Sequence, residues 1–198
     1  MMQDLIENHI RSGISIRNQI LEQQTDMIEK AALLMTESLE NHKKLLFCGN
    51  GGSAADAQHI AAELLIRYKG NHTRPSLPAL SLAADSSAIT AAGNDFGADQ
   101  IFSRQIEGLG NEGDTLIAIT TSGNSQNILN AVTAAKKKKL KVILLTGQNG
   151  GKIIKHHSDD LDLSIVISSE ETALIQEAHI MIGHILCSLI EKKMFGLG

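Results

Sequence analysis

The 198-residue chain has no Trp, one Tyr and four Phe, so aromatic stacking on bases or sugar rings is poorly supplied. It has two cysteines, Cys48 and Cys187, far apart in sequence and at no metal-ligand spacing, which read as buried thiols. Positive charge is not in excess: 18 Lys and Arg against 22 Asp and Glu leave a net charge of −4. That balance argues against nonspecific binding of nucleic acid or of a membrane surface, both of which draw on clustered cations. No apolar run stands out as long enough to span a bilayer, and Met1-Met2-Gln3-Asp4 has neither a basic n-region nor a cleavage site. The expectation is therefore a cytoplasmic protein without membrane partners. The one cationic run, Lys136 to Lys139, falls at the end of a predicted helix, where the macrodipole favours cations. No repeat, linker or low-complexity segment interrupts the chain, and 42% hydrophobic content suits one domain spanning 1–198.

What is present is an alternation. Two amphipathic helices are predicted over Met2 to Gln24 and Asp26 to Leu39, making a helical segment of 1–42 ahead of an α/β core over 43–198. Short buried strands are expected at Lys44–Cys48, Ala79–Leu82, Thr115–Thr120, Val142–Thr146 and Leu163–Ile167. Helices are expected over Ala54–Tyr68, Ile101–Leu109, Gln126–Lys137 and Thr172–Lys193. Strands alternating with helices predict an α/β fold: a five-stranded parallel sheet, doubly wound and flavodoxin-like, covered by helices on both faces.

Two strand-to-helix turns are rich in glycine and hydroxyls. In Gly49-Asn50-Gly51-Gly52-Ser53 the glycines let the backbone approach an anion, and the helix that follows offers unpaired N–H groups. Thr120-Thr121-Ser122-Gly123-Asn124-Ser125 adds four hydroxyls. Gly49-x-Gly51-x-x-Ala54 also fits a relaxed dinucleotide fingerprint, but the first acidic residue after the next strand is Asp85, too far along the chain for a ribose ligand. No Walker Gly-Lys-Ser/Thr is present. The alternative is that both turns are simple tight connections.

His59 and Glu63, four residues apart, lie on one helical face and suit a zinc-like ion. On the closing helix Gln176 and His184 share a rough face and can point into one cleft. Either helix by itself is unconvincing, since such pairs are common surface decoration and core histidines are common. His179 would lie on a different face from His184, and His156 and His157 fall in a predicted loop.

Taken together, these blocks resemble the sugar isomerase (SIS) superfamily, most closely its members that act on seven-carbon sugar phosphates. The residues that carry the resemblance are Cys48 to Ser53, Asp56-Ala57-Gln58-His59 with Glu63 and Arg67, Gly93-Asn94-Asp95-Phe96, Thr121 to Ser125, Leu145-Thr146-Gly147, and Ile175-Gln176-Glu177 with His184. The resemblance implies an isomerase converting sedoheptulose 7-phosphate to D-glycero-D-manno-heptose 7-phosphate, for ADP- or GDP-heptose and lipopolysaccharide synthesis. It implies Glu63 and His184 as the catalytic pair. Substrate would be held by Asn50, Gly51, Gly52, Ser53, Glu63, Arg67, Asn94, Asp95, Thr120, Thr121, Ser122, Ser125 and Gln176. It further implies one zinc ion per subunit on His59, Glu63, Gln176 and His184, and a homotetramer with active sites at subunit interfaces. The family often has serine at the position of Thr120, and some members have aspartate at that of Ala173. A rival class within the superfamily is a non-catalytic adaptor that binds the replication initiator protein. Those relatives lose the residues corresponding to Glu63 and His184, which this sequence keeps. A sugar-phosphate-sensing regulatory domain is disfavoured, since no DNA-binding module accompanies the fold.

Overall fold

The computed structural model describes residues 1–197. The chain opens with α1 (Met2–Gln23) and α2 (Thr25–Glu40), then β1 (Leu45–Gly49) and α3 (Gly52–Leu65). There follow β2 (Ala79–Ser81), α4 (Ser86–Phe96), α5 (Ile101–Leu109), β3 (Thr115–Thr120) and α6 (Gln126–Lys137). The chain closes with β4 (Lys141–Gly147), α7 (Gly151–His157), β5 (Leu163–Ile167) and α8 (Thr172–Phe195). The five strands pair in parallel in the order β2-β1-β3-β4-β5. This is the doubly wound architecture the alternation predicts, with its reversal of strand order between β1 and β3.

Period-2 alternation along the strands divides the core. Leu45 and Phe47, Ile117 and Ile119, and Ile143 and Leu145 pack with α1, α2, α3 and α8 on one face. Leu46 and Cys48, Leu116 and Ala118, and Val142 and Leu144 pack with α5, α6 and α7 on the other. Cys48 and Cys187 are both buried free thiols, and desolvation pushes each up to about 12, so neither serves as a nucleophile at neutral pH.

Four sequence expectations need correction. Residues 86–96 form α4, whose start is fixed by the Asp85 carboxylate accepting from the Ser87 and Ala88 amides. The residue weighed as a ribose ligand is thus an N-cap. His156 and His157 sit in the last turn of α7 rather than in a loop. α3 ends at Leu65, earlier than its apolar pattern suggests, because the Glu63 and Leu64 carbonyls accept from Arg74 Nη2 and the Leu77 amide instead of from a continuing helix. Finally, α8 is long and apolar enough by length and composition to cross a membrane, with a mean hydropathy of 1.5 over its best window. Half of that window is buried inside the fold, where α8 packs against α2 and α3. A core helix covered on several sides needs no polar stripe, which is why its sequence is apolar nearly all round.

The lysine run is a helix end. Lys138 donates to the Glu107 carbonyl and Lys139 pairs with Glu112 at 3.1 Å, both at the C-terminus of α6.

Candidate active site

β1 and β3 are neighbours on either side of the strand-order reversal, so the turns that follow them stand side by side at the carboxyl edge of the sheet. Asn50, Ser53, Thr120, Thr121, Ser125 and Gln176 line one small polar cleft between these turns. No side chain among the described residues caps the N-terminus of α3 or α6, so both helices direct their positive dipole ends there. The hydroxyl oxygens of Thr120 and Ser122 accept from the Gly123 and Asn124 amides of their own turn. Their O–H protons therefore stay free to donate to an anion. Gly123, at φ +65°, packs against the backbone of Gly150, a contact that a side chain would block.

Asn127 is a residue that motif reading missed. Its side-chain amide and that of Asn50 form a reciprocal pair, with distances of 2.8 and 2.9 Å, that ties the first turn to the first helical turn after the second. Its position in Asn124-Ser125-Gln126-Asn127, just past the hydroxyl run, was the available signal.

Further along α3, His59 meets His184 of α8 and stands beside Glu63. The Nε2 atoms of His59 and His184 are 2.9 Å apart, and Glu63 Oε1 is 3.5 Å from His59 Nε2. One imidazole must donate and the other accept. The Tyr68 ring stacks on His184, with centroids 5.8 Å apart. Gly183 makes this meeting possible: a Cβ there would stand 2.5 Å from Ile60 Cδ1, so the small residue lets α3 and α8 approach closely enough for their side chains to touch. With about 1.5 Å of rise per residue, His59 lies about 9 Å along α3 from Ser53. A seven-carbon chain ending in a phosphate fills such a span. Asp56, one turn before His59, has a buried oxygen without a partner among the described residues; burial raises its carboxyl to about 6, partly offset by His59.

The predicted residues thus gather in two groups. Asn50, Ser53, Thr120, Thr121 and Ser125 surround the anion cleft, with Gly51 and Gly52 in its turn and Ser122 in the turn opposite. His59, Glu63 and His184 form the second group. Gln176 sides with the first: a Cβ on Gly52 would stand 2.5 Å from its amide nitrogen. Arg67, Asn94 and Asp95 are exposed, and Asn94 donates to Asp95 at 2.8 Å rather than to either group. His179 faces away from His184, as expected, and is buried against Thr146.

For a metal, His59, Glu63 and His184 offer two imidazole nitrogens and a carboxylate, a donor set that suits zinc. Among the described residues no three His, Cys, Asp or Glu side chains already stand as a metal cage. The two Nε2 atoms, hydrogen-bonded at 2.9 Å, would separate by roughly half an ångström to share one ion.

Residues 8–147 match the SIS domain family model. Over its full length the chain is 47% identical to the phosphoheptose isomerase of Sulfurimonas denitrificans, covering 99% of that protein. It is 54% identical over 84% of its length to the phosphoheptose isomerase of a Nitratiruptor species, covering 86% of it. The fold superposes on the phosphoheptose isomerase of Francisella tularensis with a TM-score of 0.92 at 41% identity, covering 97% of this chain and 99% of that one. The Neisseria gonorrhoeae phosphoheptose isomerase gives a TM-score of 0.89, also at 41% identity, over 97% and 100% of the two chains.

Proposed function

The chain belongs to the SIS domain family and, within it, to the phosphoheptose isomerases, and from that premise we propose that it converts sedoheptulose 7-phosphate to D-glycero-D-manno-heptose 7-phosphate. The observation that carries the reading is the convergence on His59 of a carboxylate and an imidazole from separate helices, Glu63 at 3.5 Å and His184 at 2.9 Å, beside a cleft of turn hydroxyls and helix N-termini. The cleft holds the phosphate, and its binding energy fixes the reacting end of the chain at the His/Glu group.

In the ketose-to-aldose direction Glu63 removes a proton from C1 while His184 gives a proton to the C2 oxygen, forming an enediol. Glu63 then returns its proton to C2, and the C1 hydroxyl proton passes back to His184 as the aldehyde forms. Each group ends as it began, and no redox partner is needed. His59, paired to His184 at 2.9 Å, shares one proton between the two Nε2 atoms and so couples the protonation of the two rings. Zinc on His59, Glu63 and His184, with Gln176 swung toward them, would supply Lewis-acid polarisation of substrate oxygens. Coordination would make Glu63 a weaker base, so the role of taking the C1 proton belongs to the uncoordinated carboxylate.

The same reading makes the protein a cytoplasmic homotetramer whose product enters ADP- or GDP-heptose synthesis for lipopolysaccharide. Supporting an assembly, α1 leaves Leu5, Ile6, Ile10 and Ile14 between 51% and 71% exposed, a stripe that a second copy would cover. A cavity of about 680 Å³ beside His184, lined by Arg17, Tyr68, Met181 and Ile185, opens on the same side as α1 and leaves room for a neighbour to complete the site. The adaptor reading is set aside, because a protein that only binds a partner has no use for Glu63 and His184 gathered around His59.

The test is turnover of sedoheptulose 7-phosphate by the purified protein, followed by proton NMR. Glu63→Gln is expected to lower kcat by about 10²–10⁴-fold while retaining substrate binding. No turnover by the intact oligomer with zinc supplied would overturn the reading.

A further inference from the structure

Arg74 and Glu191 are among the most buried charges in the molecule, each side chain 1% exposed, and neither enters the reaction above. Arg74 Nε donates to Glu191 Oε1 at 2.7 Å, its Nη1 to the Pro75 carbonyl at 3.0 Å, and its Nη2 to the main-chain carbonyl of Glu63 at 2.8 Å. His72 Nδ1 lies 3.4 Å from the other Glu191 oxygen. Burial by itself would raise the Glu191 carboxyl, but the hydrogen bonds from Arg74 and His72 and the Arg74 charge outweigh it and hold the group below its ordinary range. The pair is therefore ionised in a place where apolar residues of the same volume often stabilise a fold as well. Stability by itself therefore gives little reason for it.

The placement of the two ends supplies the reason. The Glu63 carbonyl belongs to the last turn of α3, whose carbonyls have no partner within the helix, and the guanidinium caps it. Glu191 follows His184 by seven residues on α8, a rotation within about 20° of two full turns, so both project from one face. One planar fork thus binds the helix end that carries Glu63 to the helix face that carries His184. We propose that Arg74, anchored by Glu191, is a positioning residue that sets the distance and orientation of the Glu63 carboxylate relative to His184. The inference rests on the isomerase reading. Lysine does not replace this arrangement, since its single ammonium lacks the fork that reaches a carboxylate and a carbonyl at once. Displacements of about 1 Å between catalytic groups cost on the order of 100-fold in rate.

Steady-state kinetics with sedoheptulose 7-phosphate, normalised to folded protein by circular dichroism, tests this on two variants. Arg74→Lys is expected to lower kcat roughly 10–100-fold and leave KM within about threefold, because the phosphate turns are untouched. The apolar double variant Arg74→Met/Glu191→Leu keeps volume without a buried charge and is expected to unfold cooperatively near the wild-type temperature. Its kcat is nevertheless expected to fall at least about tenfold, since nothing caps the Glu63 carbonyl. Wild-type kcat per folded molecule in either variant overturns the proposal, because a merely structural pair changes only the folded fraction. An inactive wild type refutes the isomerase reading instead. In that event a crystal structure of Arg74→Lys decides the positioning role: a Glu63 carboxylate that keeps its place against His59 and His184 overturns it.

Discussion

Acid should release α8, the helix that carries Gln176 and His184, through one buried histidine. His179 is 1% exposed, and its Nε2 meets the Thr146 carbonyl at 3.3 Å, so that nitrogen must carry the proton and donate. Its Nδ1 is buried without a partner among the described residues. Protonation there would create both a buried charge and an unpaired N–H. Desolvation accordingly lowers the group from 6.5 to about 4, despite the opposing bond to Thr146. A histidine depressed in the folded state gives stability that is whole above the unfolded value and lost as pH falls through the folded one. Between pH 7 and pH 4.5 the unfolded chain gains its proton and the folded chain largely does not, which costs about 2.5 kcal/mol at 1.36 kcal/mol per pH unit. Urea melts at fixed protein concentration, at both pH values, measure it. His179→Gln keeps a donor for Thr146 and does not titrate, so its loss over this interval should be smaller than that of the wild type by about that amount. Losses that agree within about 0.5 kcal/mol would refute the assignment.

Gly183→Ala should drive a methyl into Ile60 and part the two catalytic helices, costing about 1–3 kcal/mol of stability and lowering kcat beyond any loss of folded protein, as thermal melts and kinetics would show. Asn127→Leu should free Asn50 and loosen the anion cleft, raising KM for the sugar phosphate about tenfold with a smaller change in kcat. If zinc binds as proposed, adding it to chelator-treated protein should raise the melting temperature, and His59→Gln should abolish that shift. An equal shift in the variant would place the metal elsewhere.

The elements were legible because each is written in contiguous residues. Gln126–Lys137 and Leu163–Ile167 declare themselves by period alone, and the glycine and hydroxyl turns announce an anion site before any coordinate is known. α4 was illegible because Ser86-Ser87-Ala88 carries a weak apolar stripe, and its start rests on the Asp85 cap, which looks the same as any loop aspartate.

Sequence by itself thus determined the alternation of strands and helices, the parallel sheet and the two turns at its carboxyl edge, since local periodicity and glycine chemistry act over a few residues. Only tertiary structure decided which polar groups meet. His59 and His184 are 125 residues apart and face each other because Gly183 admits Ile60. Gln176 stands over Gly52, His179 turns inward to Thr146, and Arg74 reaches Glu191. An apolar α8 that could pass for a membrane span is instead the wall on which these contacts are built. Such pairings depend on how two helices pack across a sheet, and no stretch of contiguous residues encodes that distance.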